Sequence, residues 1–156
     1  MRLLPLFLLL TSLTSMASPA PDFTLPLDGQ AVQLSELKGQ VVYVDFWASW
    51  CKPCRKSFPW MNQISQQYAD QGLVVVAINL DADAELAASF LQKVPTDFPI
   101  TYDPQGELAE QYQIIGMPSS YFIDKKGEIR FTHKGFFTAQ QAHYEQQLIT
   151  LLNETE

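Results

Sequence analysis

The chain has 156 residues, with 10 lysines and arginines against 17 aspartates and glutamates, a formal net charge of −7 at pH 7. This length predicts one domain, and the acidic balance argues against nucleic acid and anionic membrane surfaces as partners. Only two cysteines are present, so a scaffold stapled by several disulfides is excluded.

The first 17 residues have the pattern of a secretory signal peptide rather than of a folded segment. Arg2 supplies a positive start, residues 3–10 are apolar apart from Pro5, and Ser15-Met16-Ala17 places small residues at the −3 and −1 positions of a cleavage site. The apolar run is too short to span a bilayer. We therefore expect cleavage after residue 17, with an uncleaved anchor as the alternative.

Predicted elements in the first half of the chain follow from turn residues and apolar runs. Two extended segments flank Asp28-Gly29, a dipeptide typical of a hairpin turn. A β-branched and aromatic run then predicts a buried strand, and the amphipathic segment after it predicts a helix that Pro59 should kink. The elements are strands over 22–25 and 31–34, a helical turn over 35–39, a strand over 40–47, and a helix over 51–70 that buries Phe58, Met61, Ile64 and Tyr68.

The second half alternates between strands and helices in the same way. Residues 73–80 are almost continuously apolar, which predicts a parallel strand buried on both faces. The remaining elements are a helix over 81–94 with Leu86, Phe90 and Leu91 inward, an extended piece over 98–102, a helix over 106–112, antiparallel strands over 119–124 and 128–133, and a helix over 138–153. We expect Trp60, Phe136 and Phe137 to pack. The order predicts one α/β domain over 18–156, a mixed central sheet flanked by helices with an N-terminal β-hairpin and a central insertion.

Both cysteines lie in one motif, Cys51-Lys52-Pro53-Cys54, between the predicted strand and the predicted helix. A disulfide this short closes a very small loop and stabilises a fold little, so reversible redox chemistry is the favoured role. Unpaired N–H groups at the helix start, with Lys52, Arg55 and Lys56 nearby, should favour a thiolate on Cys51. A Cys51 thiolate could attack a partner disulfide, and Cys54 could then attack Cys51 and release the partner.

Structural, metal-binding and haem-attachment roles are the alternatives for the cysteine pair. A purely structural disulfide is disfavoured by the small loop. A zinc site would need further ligands, and the other soft candidates, His133 and His143, are not spaced as a pair, so no metal is expected. Arg55 follows Cys54, so the haem-attachment signal is absent. We expect no cofactor beyond the redox-active Cys51–Cys54 disulfide.

Asp45 is an acidic residue within the otherwise apolar strand before the motif. A carboxyl buried there would have a raised pKa and could exchange a proton with Cys54. The alternative is an aspartate turned toward a sheet edge and solvated. We predict Cys51, Cys54 and Asp45 as the catalytic residues.

Residues on both sides of the motif are candidates for partner binding. Met117-Pro118 enters a predicted strand after Gly116 and is a candidate cis peptide whose backbone could bind an extended segment, with an ordinary trans proline as the alternative. Trp47 should be core, whereas Trp50 should cover the sulfurs, with a plain packing role as the alternative. The predicted binding residues are Trp50, Lys52, Pro53, Met117 and Pro118.

These segments resemble the thioredoxin superfamily. Residues 44–48 and 50–54 are similar to its active-site strand and helix, Pro59 to its kinking proline, Met117-Pro118 to its cis-proline, and Asp45 to its buried acid. The lead-in 21–25, the phrase at 47–51 and the added segment 81–112 resemble more narrowly the exported TlpA-like thiol–disulfide oxidoreductases, which include cytochrome c-biogenesis reductases. The resemblance implies a thioredoxin-like fold over nearly all of the mature chain.

The resemblance also implies a role. It implies a periplasmic reductase that receives electrons from a membrane protein and passes them to cysteine pairs of other exported proteins; we expect a monomer. Ser119-Ser120 follow Pro118 where cytochrome-specialised members carry an acidic or threonine-type residue, and Lys52 replaces thioredoxin's glycine, so apocytochrome specificity and redox potential do not carry over. A thiol-dependent peroxidase and a non-catalytic metal chaperone or partner-binding domain are the alternative functions.

Overall fold

The computed structural model describes residues 18–155, and the predicted signal peptide over 1–17 lies outside the described residues. Eight strands and four α-helices were assigned in this part of the chain. They are β1 Ser18–Pro19, β2 Thr24–Leu27, β3 Gln30–Gln33, β4 Val41–Trp47, α1 Cys54–Tyr68, β5 Leu73–Asn79, α2 Ala84–Leu91, β6 Ile100–Tyr102, α3 Glu107–Gln111, β7 Ser119–Ile123, β8 Glu128–Lys134 and α4 Gln141–Asn153. Short 3₁₀ turns cover Leu34–Leu37, Ala69–Gln71 and Thr138–Gln140.

A six-stranded mixed sheet in the order β1-β8-β7-β4-β5-β6 forms the centre of the fold, and β2 and β3 form a separate hairpin. β4 pairs in parallel with β5 and antiparallel with β7. All seven residues of β4 and all seven of β5 are buried, as their continuous apolar sequences predicted. The predicted fold, a mixed sheet flanked by helices with an N-terminal hairpin, is confirmed.

Strand alternation divides the core of the protein into two clusters, one on each face of the sheet. Tyr43 and Trp47 of β4 join the cluster that holds both cysteines and the buried side chains of α1, α2 and α4. Val44 and Phe46 join the cluster on the other face, with the hairpin and α3. The predicted stripe of α1 is buried as expected, and Trp60 is buried with it. The redox motif therefore belongs to the α1 face.

Two predicted helix boundaries are wrong. α1 begins at Cys54 rather than Cys51, because residues 51–53 form a turn in which Arg55 and Lys56 donate to the carbonyls of Lys52 and Pro53. α2 covers only Ala84–Leu91 of the predicted 81–94, since the Asp83 carboxylate accepts from the Glu85 N–H at 2.9 Å and starts the helix there.

Three side-chain or strand predictions also differ. Leu86 was expected inside but is 50% exposed, because Ala87 and Phe90 form the inward face of α2. Phe137 is 57% exposed, whereas Phe136 is buried. Ser18–Pro19, for which the sequence predicted no strand, form a short edge strand on β8. Among the described residues, every helix is too short or too polar to cross a bilayer.

Candidate active site

Cys51 and Cys54 form a disulfide with their Cα atoms 5.4 Å apart. Cys51 lies in the turn after β4, and Cys54 is the first residue of α1. Cys51 is 4% exposed and Cys54 is fully buried. The N-terminal cysteine is thus slightly more accessible than Cys54, although both side chains are buried.

The start of α1 places hydrogen-bond donors and positive charge near the Cys51 sulfur. The backbone N–H of Cys54 donates to Cys51 Sγ at 3.3 Å. Lys52, Arg55 and Lys56 are exposed around it, and the chain contains no carboxylate between Asp45 and Asp70. A negative sulfur at this position would gain from both the donor and the cations.

The loop between Trp47 and Cys51 is anchored by a carboxylate that the sequence reasoning missed. Asp81, only 3% exposed, accepts from the Ser49 N–H at 2.9 Å, the Ser49 hydroxyl at 2.9 Å and Asn79 Nδ2 at 2.8 Å. Leu80 N also donates to the Trp47 carbonyl at 2.9 Å. The available signal was positional: Asn79 and Asp81 are polar residues at the carboxyl end of a buried parallel strand, where sites form in open α/β sheets.

Asp45 is 1% exposed and lies on the central strand β4, so the solvated sheet-edge alternative is wrong. Its odd register places it on the same face as Tyr43 and Trp47, the face that holds Cys54. Asp45 Oδ2 is buried without a hydrogen-bond partner. Burial raises the pKa of the Asp45 carboxyl well above its usual range. The raised pKa favours the protonated form of the carboxyl. The unpartnered Oδ2 atom is available for proton exchange.

The Met117–Pro118 peptide bond is cis. Ser119, the next residue, pairs with Phe46 near the carboxyl end of β4. The cis bond therefore lies at the end of the sheet from which the cysteine loop leaves. Met117 is half-buried and packs against the cluster that contains both cysteines. The Pro118 carbonyl already accepts from the Gly135 N–H at 2.7 Å, which ties this loop to the end of β8.

The remaining predicted site residues are mostly on the surface. Trp50 is 68% exposed, so most of its ring faces solvent, whereas Trp47 is fully buried. Lys52 and Pro53 are exposed in the turn between the cysteines. His133, weighed as a metal ligand, instead packs against the rings of Phe122 and Tyr144 at centroid distances of 5.5 and 4.6 Å, and burial lowers its pKa.

Comparison with known proteins agrees with this geometry. The family described as Redoxin matches residues 16–148. The chain belongs to the Redoxin family. A thiol-disulfide oxidoreductase ResA from Bacillus thuringiensis subsp. konkukian is 34% identical over 123 residues, covering 78% of this chain and 71% of that protein. Like this relative, the protein is a thiol–disulfide oxidoreductase. Its Cys-X-X-Cys disulfide joins Cys51 and Cys54.

Solved structures extend the agreement to the fold. A crystal structure assigned as a thiol:disulfide interchange protein DsbE from Chlorobium tepidum has 47% identity and a TM-score of 0.83, covering 88% of this chain and 97% of that one. The exposed lipoprotein thioredoxin Etrx1 from Streptococcus pneumoniae has 32% identity and a TM-score of 0.72, covering 84% and 100%. This Redoxin protein therefore has a thioredoxin-like fold along almost the whole length of both relatives.

Proposed function

We propose that this protein is exported to the periplasm and reduces disulfides in other exported proteins that carry cysteine pairs. The observation that carries the proposal is the Cys51 sulfur at the start of α1, with a backbone donor at 3.3 Å and a buried proton-holding group, Asp45, on the same face as Cys54. A membrane protein supplies the electrons. No metal or organic cofactor takes part, and the protein acts as a monomer without nucleic-acid partners.

In the forward reaction, the Cys51 thiolate attacks one sulfur of the target disulfide. The S–S bond of the target breaks, its second sulfur leaves and takes up a proton, and a mixed disulfide joins Cys51 to the target. Asp45, in its ionised form, then accepts the proton of the Cys54 thiol, directly or through a water molecule. The Cys54 thiolate attacks Cys51 Sγ, the bond between Cys51 and the target breaks, and the released target sulfur takes up a proton from Asp45 or from solvent, so the target leaves as a dithiol. Two electrons have moved to the target. A dithiol donor must then reduce the Cys51–Cys54 disulfide before the next cycle.

The surface around the motif supports recognition of an extended segment. Trp50, Lys52 and Pro53 are exposed beside Cys51, whereas Met117 is half-buried and Pro118 is buried at the same end of the sheet. We assign these five residues to partner binding, with the backbone at Met117 offering hydrogen bonds to the bound chain.

The name of the pneumococcal relative, an exposed lipoprotein thioredoxin, supports export, as does the signal pattern in residues 1–17. The Bacillus and Chlorobium relatives are named for thiol–disulfide exchange. None of these names specifies the direction of electron flow, so reduction remains our proposal and cytochrome c biogenesis one candidate pathway.

Trapping tests the mechanism. Cys54→Ser should leave a stable mixed disulfide on Cys51 with partner proteins in a periplasmic extract, and Cys51→Ser should trap nothing. Insulin reduction with a dithiol donor separates the enzyme from a non-catalytic binding domain, and turnover of hydrogen peroxide would favour the peroxidase alternative. A folded Cys54→Ser protein that captures no partner would contradict the mechanism. N-terminal sequencing of the periplasmic protein tests cleavage after residue 17.

A further inference from the structure

A cleft of about 190 Å³ opens between α1 and α2, beside the redox motif. Its walls include Ser49, Arg55, Leu86, Phe90, Lys93 and Val94, and we call it the basic cleft. Ser49 precedes Cys51 by two residues and Arg55 follows Cys54 directly. The cleft therefore lies beside the redox motif at which a partner disulfide would react.

Two cations from different elements line the basic cleft, and neither forms an ion pair within residues 18–155. Arg55 belongs to α1, and Lys93 lies just after α2. The ion pairs among residues 18–155 both involve Arg130, so Arg55 and Lys93 have no carboxylate within bonding distance there. The lysines elsewhere in this range also lack ion pairs, so what sets Arg55 and Lys93 apart is that both line one cleft beside the redox motif.

Arg55 is held in place by the floor of the cleft. Its guanidinium lies 5.5 Å from the centre of the Phe90 ring, a cation–π distance. Phe90 is itself fixed by the rings of Trp47 and Phe58 at 4.8 and 5.2 Å. A guanidinium oriented in this way keeps its N–H groups available for a carboxylate.

The buried carboxylate bonded to Ser49, Asp81, is not a partner for these cations. The oxygens of Asp81 are already occupied by Ser49 and Asn79. Asp83 and Glu85 lie at the opposite end of α2 from Lys93 and do not line the cleft. Leu86, which is 50% exposed, and Val94 give the cleft an apolar rim that suits the aliphatic stem of a glutamate.

We propose that the basic cleft binds an acidic side chain of the partner protein, close in sequence to the cysteine that Cys51 attacks. The inference rests on the proposed function, because it assigns a substrate preference to the same reaction. Charge complementarity at this position would raise the rate of encounter and fix the direction in which the segment lies.

The test uses a panel of disulfide-linked peptides in which one glutamate is moved along either side of the cysteine, each matched to a glutamine peptide. We expect one position at which kcat/KM for the glutamate peptide exceeds that for its glutamine match by about three- to tenfold, the size expected for one or two exposed ion pairs. The preference should shrink at high ionic strength. Lys93→Gln should bring the ratio close to one, Lys93→Arg should retain it, and Lys93→Glu should favour a lysine peptide instead.

Lys38→Gln is the matched control, because it removes the same charge from an exposed residue. Lys38 lies in the loop that precedes β4, at the opposite end of this strand from the cysteine loop. It should leave the glutamate preference unchanged. Equal rates for glutamate and glutamine at every position, or an equal loss of preference in Lys38→Gln, would overturn the subsite. If no peptide were reduced at all, the proposed function itself would fail, so the two failures are distinguishable.

Discussion

Asp45 lies directly opposite Ser120 across the antiparallel pair formed by β4 and β7. Ser120 in turn lies opposite His133 on β8, so the three polar residues form one row across the sheet, on the face that carries α1 and α4. Asp45 is the most central and most buried of the three, and its Oδ2 atom is unpartnered. A charged carboxylate at this position must therefore reduce stability.

Asp45→Asn should stabilise the oxidised protein in a pH-dependent way. Because burial raises the pKa of Asp45 in the folded state, the favourable contribution of this group is full below its unfolded pKa of about 3.9 and is lost as pH rises through the folded value. We expect the variant to exceed the parent in free energy of unfolding by about 1–3 kcal/mol at neutral pH and by little near pH 4. Urea denaturation at several pH values measures this difference, and a gap independent of pH would contradict the explanation.

The same variant should resolve mixed disulfides slowly. An asparagine cannot accept the Cys54 proton, so the Cys51-linked intermediate should persist and turnover should fall by about a hundredfold, a typical value for loss of a general base. Quenching the reaction with acid at set times, followed by mass spectrometry, detects the intermediate. Asp103→Asn is the control, because Asp103 is also buried but bonds to the Ala109 N–H beyond β6. If both variants slowed equally, the proton role of Asp45 would be disproved.

Asp81→Ala should loosen the loop that carries Cys51. The change removes the acceptor for both Ser49 donors and for Asn79 and should cost about 3 kcal/mol of unfolding free energy, since buried hydrogen bonds to a charged group are the strong ones. Asp81 acts as a positioning residue, so Asp81→Asn, which keeps one oxygen, should recover part of both stability and the parental pH profile of Cys51 alkylation. An alkylation profile that stays parental in Asp81→Ala would limit Asp81 to a purely structural role.

Arg130→Met should lower stability without changing the redox reaction. Arg130 Nη1 lies 3.0 Å from Asp124 and 2.6 Å from Glu154, and Nη2 donates to Glu154 at 3.0 Å. These contacts join the β7–β8 turn to the chain end, away from the cysteines. Because the side chain is partly exposed, we expect a loss of about 1 kcal/mol in chemical denaturation. Insulin reduction at low temperature should match the parent, and a slower reaction there would reveal an unexpected link to the site.

The sequence allowed the sheet, the helices and the redox pair to be predicted, because each depends on local patterns. β4 and β5 are almost entirely apolar, and the Cys51–Cys54 spacing defines the disulfide by itself. The cis bond before Pro118 was suggested by resemblance rather than by physics, since an X–Pro bond is usually trans. The burial of Asp45 was open until the strand order placed β4 at the centre.

What could not be predicted depends on contacts between distant parts of the chain. The anchoring of Ser49 by Asp81 joins residues 32 positions apart, and the basic cleft combines residues of α1 and α2. Leu86 and Phe137 were expected inside because they are apolar, yet their neighbours Ala87 and Phe136 occupy the inward positions. Which of two neighbouring apolar side chains is buried depends on the direction in which the backbone points each one. Amino-acid composition contains no information on that direction.

The recessed Cys51, with 4% of its surface accessible, has a consequence for substrate choice. A disulfide packed against the surface of a folded domain cannot reach a sulfur this buried, whereas a disulfide in a flexible segment can. If the protein reduces disulfides of other proteins as proposed, we expect it to act faster on disulfides in flexible segments than on disulfides inside folded domains.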